Sequence, residues 1–488
     1  MAAAWPQAAW PQEQQAKRPK LPPGTILVND VHAKLSSARV FQIVQPETLD
    51  EVRKAFALAK AEERAICIAG GRHSMGGQPF VADGVLIDTR KLNRVLFLDT
   101  GRGLLEVESG VTWPQILEHL VAAQRGSEKQ WTFAQKQSGA DRFTIGGCLS
   151  ANIHGSGLTL PPFIADVESF KLLTARGNLV QCSRSDNPEL FRLAIGGYGL
   201  FGFVYAVTLR LVARRKLERL VEIRDAKGLG EVFVERIRDG CLYGDFQCSV
   251  DDRSPEFLRR GVLSCYRPVA DDAPIALAPR QLYGADWLEQ LYLAHTDKAE
   301  AFRRLSSHYH SASGEIAWSD ELQMSFYADN YHRQLDRRFA SPHRGTESMA
   351  EIYCELGALE AFLADAAATA RREKFEIIQG SVRLIERDTE SFLAWARKPY
   401  ACVSFHVHVD HTTSGSIRAG DAFRRLIDLG IRYGGSYYPT YHRYALRRQV
   451  EACFPQFADF LKLKRKYDPA ELFQSDWYRH YRRMFFGG

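Results

Sequence analysis

The sequence predicts an α+β protein: a first unit of short strands and helices, then a second unit in which an antiparallel sheet is covered by helices. Three observations predict it. Short β-branched runs alternate with runs of helical spacing, without a regular series of strand–helix–strand crossovers. Three glycine-rich segments interrupt the first 212 residues. In the second half, QGSVRLIE and VSFHVHVD alternate small or polar side chains with apolar ones, as a strand covered on one face does.

Residues 1–24 repeat AAWPQ and continue with Gln, Lys and Pro, and they read as a disordered tail rather than a signal peptide. From Arg39, ARVFQIVQP reads as a strand ended by Pro46, and ETLDEVRKAFALAKAEE as a helix. AICIAGG is a strand running into glycines, and VTWPQILEHLVAA is a helix opened by Pro114. VESFKLLTARGNLVQC reads as a hairpin around Arg176-Gly177-Asn178, a helix starts at Asn187-Pro188, and FGFVYAVTLRLVAR is a further strand. Residues 25–212 thus form one unit. The second, 213–460, carries expected strands at 240–250, 349–354, 375–385 and 401–409, with helices at 286–306, 356–373 and 417–433. Residues 461–488 are too polar for a domain and are expected to pack back on one of the units.

Composition excludes several classes. With 45% hydrophobic and 25% charged residues the 488-residue chain is neither disordered nor collagenous. No apolar run approaches the roughly 20 residues that span a bilayer. A net charge of +6 is too small for a nucleic-acid partner, and the basic run near the C-terminus reads as a solvated face. Nine dispersed cysteines without a C-x-x-C pair fit reduced thiols in a cytoplasmic protein.

The chemistry is concentrated in the glycines. Gly70-Gly71-Arg72-His73-Ser74-Met75-Gly76-Gly77-Gln78, then Gly146-Gly147 running on to His154-Gly155-Ser156-Gly157, and Gly196-Gly197-Tyr198-Gly199-Leu200-Phe201-Gly202 suggest loops closing on one extended anionic ligand. Glycine lets the main chain approach a pyrophosphate and turn its N–H groups inward. Gly197, Gly199 and Gly202 formally match the dinucleotide fingerprint, but they follow a helical run and lead into a strand, the reverse of a Rossmann turn. A nicotinamide cofactor is not expected.

GGRHSMGGQ, TIGG…NIHGSG, NPELFRLAIGGYGLFGFV and KRKYDPAELFQSDW together resemble the vanillyl-alcohol oxidase / p-cresol methylhydroxylase superfamily of FAD-linked oxidases. The resemblance is to the alditol and aldonolactone oxidase and cytokinin dehydrogenase-like branches. It is strong over 39–212, patchy over 213–460, and returns at 460–478. It implies a bipartite FAD-binding domain of the p-cresol methylhydroxylase type, an inserted substrate domain over 213–460, and a C-terminal segment returning to the FAD domain.

Carried over by motif, the resemblance implies FAD contacts from Gly70, Gly71, Arg72, His73, Ser74, Gly76, Gln78, Gly146, Gly147, His154, Gly155 and Val204. His154 reads as a loop support, and Ile153 is expected near the flavin. His73 stands where members often carry the flavin covalently, whereas no cysteine occupies the position of a second link. The sugar-oxidase branches hold a Glu-x-Arg pair where this chain reads Ser381-Val382-Arg383, and a lysine where Gly434–His442 offers only tyrosines and a histidine.

Candidate catalytic residues are therefore Arg383, to stabilise a substrate oxygen or developing charge, and Tyr438, Tyr441 or His406, to handle a hydroxyl proton. A tyrosine would need a depressed pKa, which a neighbouring arginine could supply. His406, His408 and His411 with Asp410 invite a metal reading, but the spacing splits them over two strand faces, so no metal is expected. Gly155-Ser156-Gly157 lacks a nucleophile-elbow context. The resulting expectation is an FAD-dependent enzyme removing hydride from a CH–OH group of a sugar, polyol, lactone or related small molecule, with dioxygen or a quinone-type compound as acceptor. Oxidation of a C–N bond, and a flavin-binding protein that has lost catalysis, remain alternatives.

Overall fold

A computed structural model describes residues 26–139, 141–275, 282, 284–325 and 330–487. The expected N-terminal tail lies outside the described residues. Among the described residues the first unit holds a short antiparallel pair, Ile26–Val28 with Ala38–Val40, and two larger sheets. Strands Gln42–Val44, Val85–Asp88 and Ile66–Ala69 pair in parallel, with Val85–Asp88 central. The helix Leu49–Ala61 makes the crossover, so the unit holds one strand–helix–strand connection of this kind, consistent with no regular series of them. Thr48 caps this helix by accepting the Glu51 N–H, and Val52, Ala55, Phe56 and Ala59 bury its apolar face.

The second sheet is antiparallel and has six strands, with Phe203–Ala213 pairing to Val167–Leu173, Leu104–Glu108 and Trp131–Phe133. Val167–Leu173 and Leu179–Ser183 form the expected hairpin. The helix Pro188–Ala194 does precede Phe203–Ala213, as the reversed glycine context required. TIGG proves to be the capped start of a helix, Ile145–Ala151, rather than a loop. Thr144 accepts the Gly147 N–H at its N-cap, and Asn152 ends it in the left-handed conformation.

The second unit is a seven-stranded antiparallel sheet in the order Ile316–Trp318, Lys216–Asp225, Arg260–Pro268, Tyr243–Cys248, Ile377–Ile385, Tyr400–Asp410, Gly345–Cys354. Its two faces differ as the alternation dictates. Val382, Val403, Phe405 and Ile352 are buried on one face, toward helices Leu359–Glu373 and Thr413–Arg432; Phe362 and Phe405 rings lie 6.4 Å apart. The register puts Ser381 opposite Ser404 and Arg383 opposite Cys402, so these side chains share the other face. That face is not open. The expected single helix at 286–306 is two helices, Gly284–Thr296 and Lys298–Ser311, which pack over it, so helices cover both faces.

Residues of the C-terminal segment pack on the first unit. Phe473 forms a parallel bridge with Ile66, the Ile66 N–H donates to Leu472 O, and Phe473 stacks edge-on against Phe56. Trp477, fully buried, sits 4.8 Å from the ring of Tyr198.

Candidate functional site

The three glycine segments converge. Gly70, Gly71, Arg72, His73, Ser74 and Gln78 form one wall of a cleft, Gly146 and Gly147 a second, and Gly199, Gly202 and Val204 a third. The cleft holds about 880 Å³ of atom-free space including its mouth. Close packing requires the glycines: a Cβ on Gly71 would stand 2.5 Å from Arg142 O, and one on Gly146 2.7 Å from Ser109 Cβ. Arg72 adopts φ +60° in the first loop, a conformation a non-glycine residue holds only when its surroundings impose it. Its guanidinium is tied to buried Asp88 at 3.1 Å.

Arg72 Nε, Gln78 Oε1 and Ser109 Oγ are buried without a protein partner, and their residues line this cleft. Unsatisfied donors and an acceptor beside glycine walls, at a helix N-terminus, suit an extended anion with a polar ring, so the residues fit FAD. Ile153 also lines the cleft. Three expected contacts do not. The Gly76 N–H donates to Thr440 O, behind the loop. The Gly155 N–H donates to Gln135 Oε1. His154 is fully buried, with Nε2 3.1 Å from Glu351 Oε2 and Nδ1 3.2 Å from Gly155 O.

His73 is buried in the cleft wall. Its Nδ1 lies 2.7 Å from His32 Nε2, and its ring centroid is 4.1 Å from that of Phe143. Burial, helped by the charges of Arg142 and Lys136, pulls the His73 pKa down to about 3, so the imidazole is neutral. Burial first, then His73, lowers His32 as well.

Phe143 and Tyr441 line both this cleft and a larger cavity above it. The larger cavity lies between the polar face of the seven-stranded sheet and the two helices covering it. Arg383 and His406 line it, so the structure brings these two together. Burial holds the His406 imidazole neutral, with a pKa of about 4. Tyr438 lines only the cleft, and its hydroxyl donates to Ala151 O at 2.8 Å. Gln137 Nε2 donates to the Tyr441 hydroxyl at 3.3 Å.

The expected depressed tyrosine pKa is overturned: burial raises both Tyr438 and Tyr441 well above the ordinary value, and the Arg383 charge beside Tyr441 only partly offsets this. Both remain protonated donors. The metal set His406, His408, His411 is not assembled. His408 Nδ1 turns to Glu347 at 3.3 Å, and His411 Nε2 lies 2.8 Å from the Thr346 hydroxyl.

Sequence reasoning missed five charged residues of the cavity, Lys136, Arg219, Asp245, Glu315 and Glu347. Asp245 and Gln247 on Tyr243–Cys248 share its polar face, because Gln247 pairs with Ser381 across the sheet. Burial raises the Asp245 carboxyl, against the opposing charge of Arg383. Asp245 thus places a carboxyl in the cavity on the strand next to that of Ser381. Arg219 reaches the cavity from Lys216–Asp225. Lys136 enters from the first unit, its Nζ 2.8 Å from Asp141 Oδ1 and hydrogen-bonded to Gln137 O and the Ser325 hydroxyl, so an ammonium is present although none follows Gly434-Gly435. Glu347 also lines it. The strand alternation YGDFQC could have identified Asp245; nothing local marks Lys136. Arg383 Nε, Arg219 Nε and Ser404 Oγ are buried in this cavity without a protein partner.

A family model described as an FAD binding domain matches residues 41–183. An L-gulonolactone oxidase from Bos taurus is 30% identical over 174 residues, 36% of this chain and 38% of that protein. The mitochondrial L-galactono-1,4-lactone dehydrogenase 2 of Oryza sativa subsp. japonica is 27% identical over 39% of this chain and 32% of its own length. Cytokinin dehydrogenase 8 of Oryza sativa subsp. indica is 28% identical over 38% and 36%, respectively. The chain therefore spans less than two-fifths of these curated relatives.

Proposed function

We propose, from the premise that this chain is a member of the vanillyl-alcohol oxidase / p-cresol methylhydroxylase superfamily and binds FAD, that it oxidises a CH–OH group of a sugar, polyol, sugar lactone or similar small molecule. The observation that carries this reading is the cavity joined to the FAD cleft at Phe143 and Tyr441, with unpartnered Arg383 Nε, Arg219 Nε and Ser404 Oγ in its wall. Buried donors left unsatisfied suit a ligand rich in oxygen. The lactone-oxidising activities named for two of the relatives agree with it.

Bound FAD supplies the two-electron acceptor for the hydride. The chain's own residues do the rest. Arg383 stays cationic when buried and holds the substrate oxygen that gathers charge. A ring nitrogen of His406 takes the hydroxyl proton, since both tyrosines are held protonated. Tyr441 donates its hydroxyl at the junction, and Asp245 and Gln247 accept and donate to further substrate hydroxyls. His73, whose imidazole is neutral, would be the residue that holds the flavin covalently. Residues 25–212 with 461–488 make a bipartite FAD-binding domain, and 213–460 cap it. Dioxygen or a quinone-type compound would take the electrons onward.

Anaerobic mixing of the purified yellow protein with a panel of sugars, lactones, polyols and amines tests the reading. Bleaching of the flavin by a CH–OH compound supports it. Bleaching by amines alone favours C–N oxidation, and none at all leaves a flavin-binding protein without this catalysis. Acid precipitation tests the tether: flavin should stay in the pellet for wild type and appear in the supernatant for His73→Ala.

A further inference from the structure

At the rim of the cavity, away from the FAD cleft, three side chains from three separate elements point at one spot. His295 comes from the last turn of Gly284–Thr296, Glu347 from Gly345–Cys354, and His408 from Tyr400–Asp410. His295 Nε2 lies 3.1 Å and His408 Nδ1 3.3 Å from the same oxygen, Glu347 Oε1. We propose that His295, Glu347 and His408 bind a divalent transition-metal ion of the zinc type.

The geometry matches. Zinc–nitrogen and zinc–oxygen bonds of about 2.0–2.2 Å in a tetrahedron set neighbouring ligand atoms about 3.3 Å apart. The two measured separations lie at that edge length, and the three ligand atoms all fall within 4.8 Å of one another. The outer shell also has the form of a metal site. A ligating imidazole commonly presents its second nitrogen to a carboxylate, which fixes the tautomer. Here His408 Nε2, the nitrogen facing away from Glu347, lies 3.6 Å from Asp410 Oδ1. Tyr331 donates to Glu347 Oε2, orienting the ligating carboxylate in the same way.

There is a path for the ion. A separate surface cavity, lined by His295, His343, Asp336 and Asp410, opens directly on this cluster, and it leaves a fourth position for water. Two imidazoles and one carboxylate select zinc, cobalt or nickel over magnesium and calcium, which prefer all-oxygen shells. The ion would pin the helix Gly284–Thr296 to the sheet. That helix also supplies Trp287 and Leu291 to the larger cavity, so the ion fixes the cavity's roof and takes no part in hydride transfer.

The competing account is a buried carboxylate held only by two imidazole N–H donors. Substitutions that keep a donor but make poor ligands separate the two. Tag-free flavoprotein is stripped with chelator, equilibrated by dialysis against micromolar zinc, and analysed for zinc content and thermal midpoint. Wild type should retain about one zinc per chain and melt higher with zinc than without. His295→Gln and His408→Asn, whose amide nitrogens stand where His295 Nε2 and His408 Nδ1 donate to Glu347, should each bind at least ten-fold more weakly and lose the zinc-dependent rise, while His343→Gln behaves as wild type. Cobalt in place of zinc gives a reading that needs no variant, the visible bands of a four-coordinate site. No stoichiometric zinc in wild type, equal binding by the two ligand variants, or a six-coordinate cobalt spectrum would overturn the proposal.

Discussion

Replacing Lys136 by methionine tests the seam between the two units. The side chain is fully buried, and its ammonium is 2.8 Å from Asp141 Oδ1, 3.0 Å from Gln137 O and 3.1 Å from Ser325 Oγ. Burial lowers the Lys136 pKa and Asp141 opposes that shift, so the pair is held together against a desolvation cost. Methionine preserves the stem, so little packing is lost. Removing one member of a buried pair costs about 3–5 kcal/mol because the other charge is stranded. Asp141 keeps 20% of its side chain exposed, which places the expected loss at the lower end, about 3 kcal/mol. For 488 residues the entropy of unfolding is about 1 kcal/mol/K, so the thermal midpoint should fall by about 3 °C if the chain melts as one unit. Flavin fluorescence during a thermal ramp reads it. Adding Asp141→Asn removes the stranded charge and should restore most of the loss. An unchanged midpoint in Lys136→Met, or a double variant whose losses simply add, would refute the reasoning.

Three further outcomes follow from single sites. Gly71→Ala puts a Cβ 2.5 Å from a backbone carbonyl, so the loop must move and the FAD content of the purified protein should drop at least ten-fold, whereas Gly357→Ala, with open space around it, loads FAD normally. Asp166 has its pKa raised by burial to about 7 from an ordinary 3.8. Its protonated form favours the fold, so this contribution is full below about pH 4 and is lost as pH rises through 7. Asp166→Asn keeps the carbonyl that accepts from Gln135, and it should flatten that decline and raise stability at pH 8 in urea titrations. Soaking with NAD or NADP should give no stoichiometric complex, because the helix Pro188–Ala194 precedes Gly197 and a strand follows Gly202.

What the sequence reveals of the site is what local pattern can carry. Glycine spacing identified most walls of the FAD cleft, and period-two alternation placed Ser381 with Arg383 and Ser404 with His406. The strand Lys216–Asp225 escaped because its charged residues mask the alternation, and Arg260–Pro268 because its central run GVLSCY, buried on both faces up to Cys265, has no alternation to read. Helices on both sheet faces were hidden for a related reason: the polar face reads as solvent-exposed until a roof lies above it. Lys136 could not be found locally, since its hydroxyl partner Ser325 is 189 residues away. The tyrosine pKa was misjudged because burial, which outweighs the nearby arginine, is a property of the packed fold.

The account stands or falls on the cleft and the cavity acting as one site. Single-turnover reduction of the bound flavin, followed by rapid mixing with whichever CH–OH compound bleaches it, measures this in wild type and Arg383→Met. Arg383 lines the cavity and not the FAD cleft, so the variant should contain the same amount of flavin. Its reduction should be slower by about 100-fold, or about 2.7 kcal/mol of lost charge stabilisation. A variant with normal flavin content that is reduced at the wild-type rate would contradict the account.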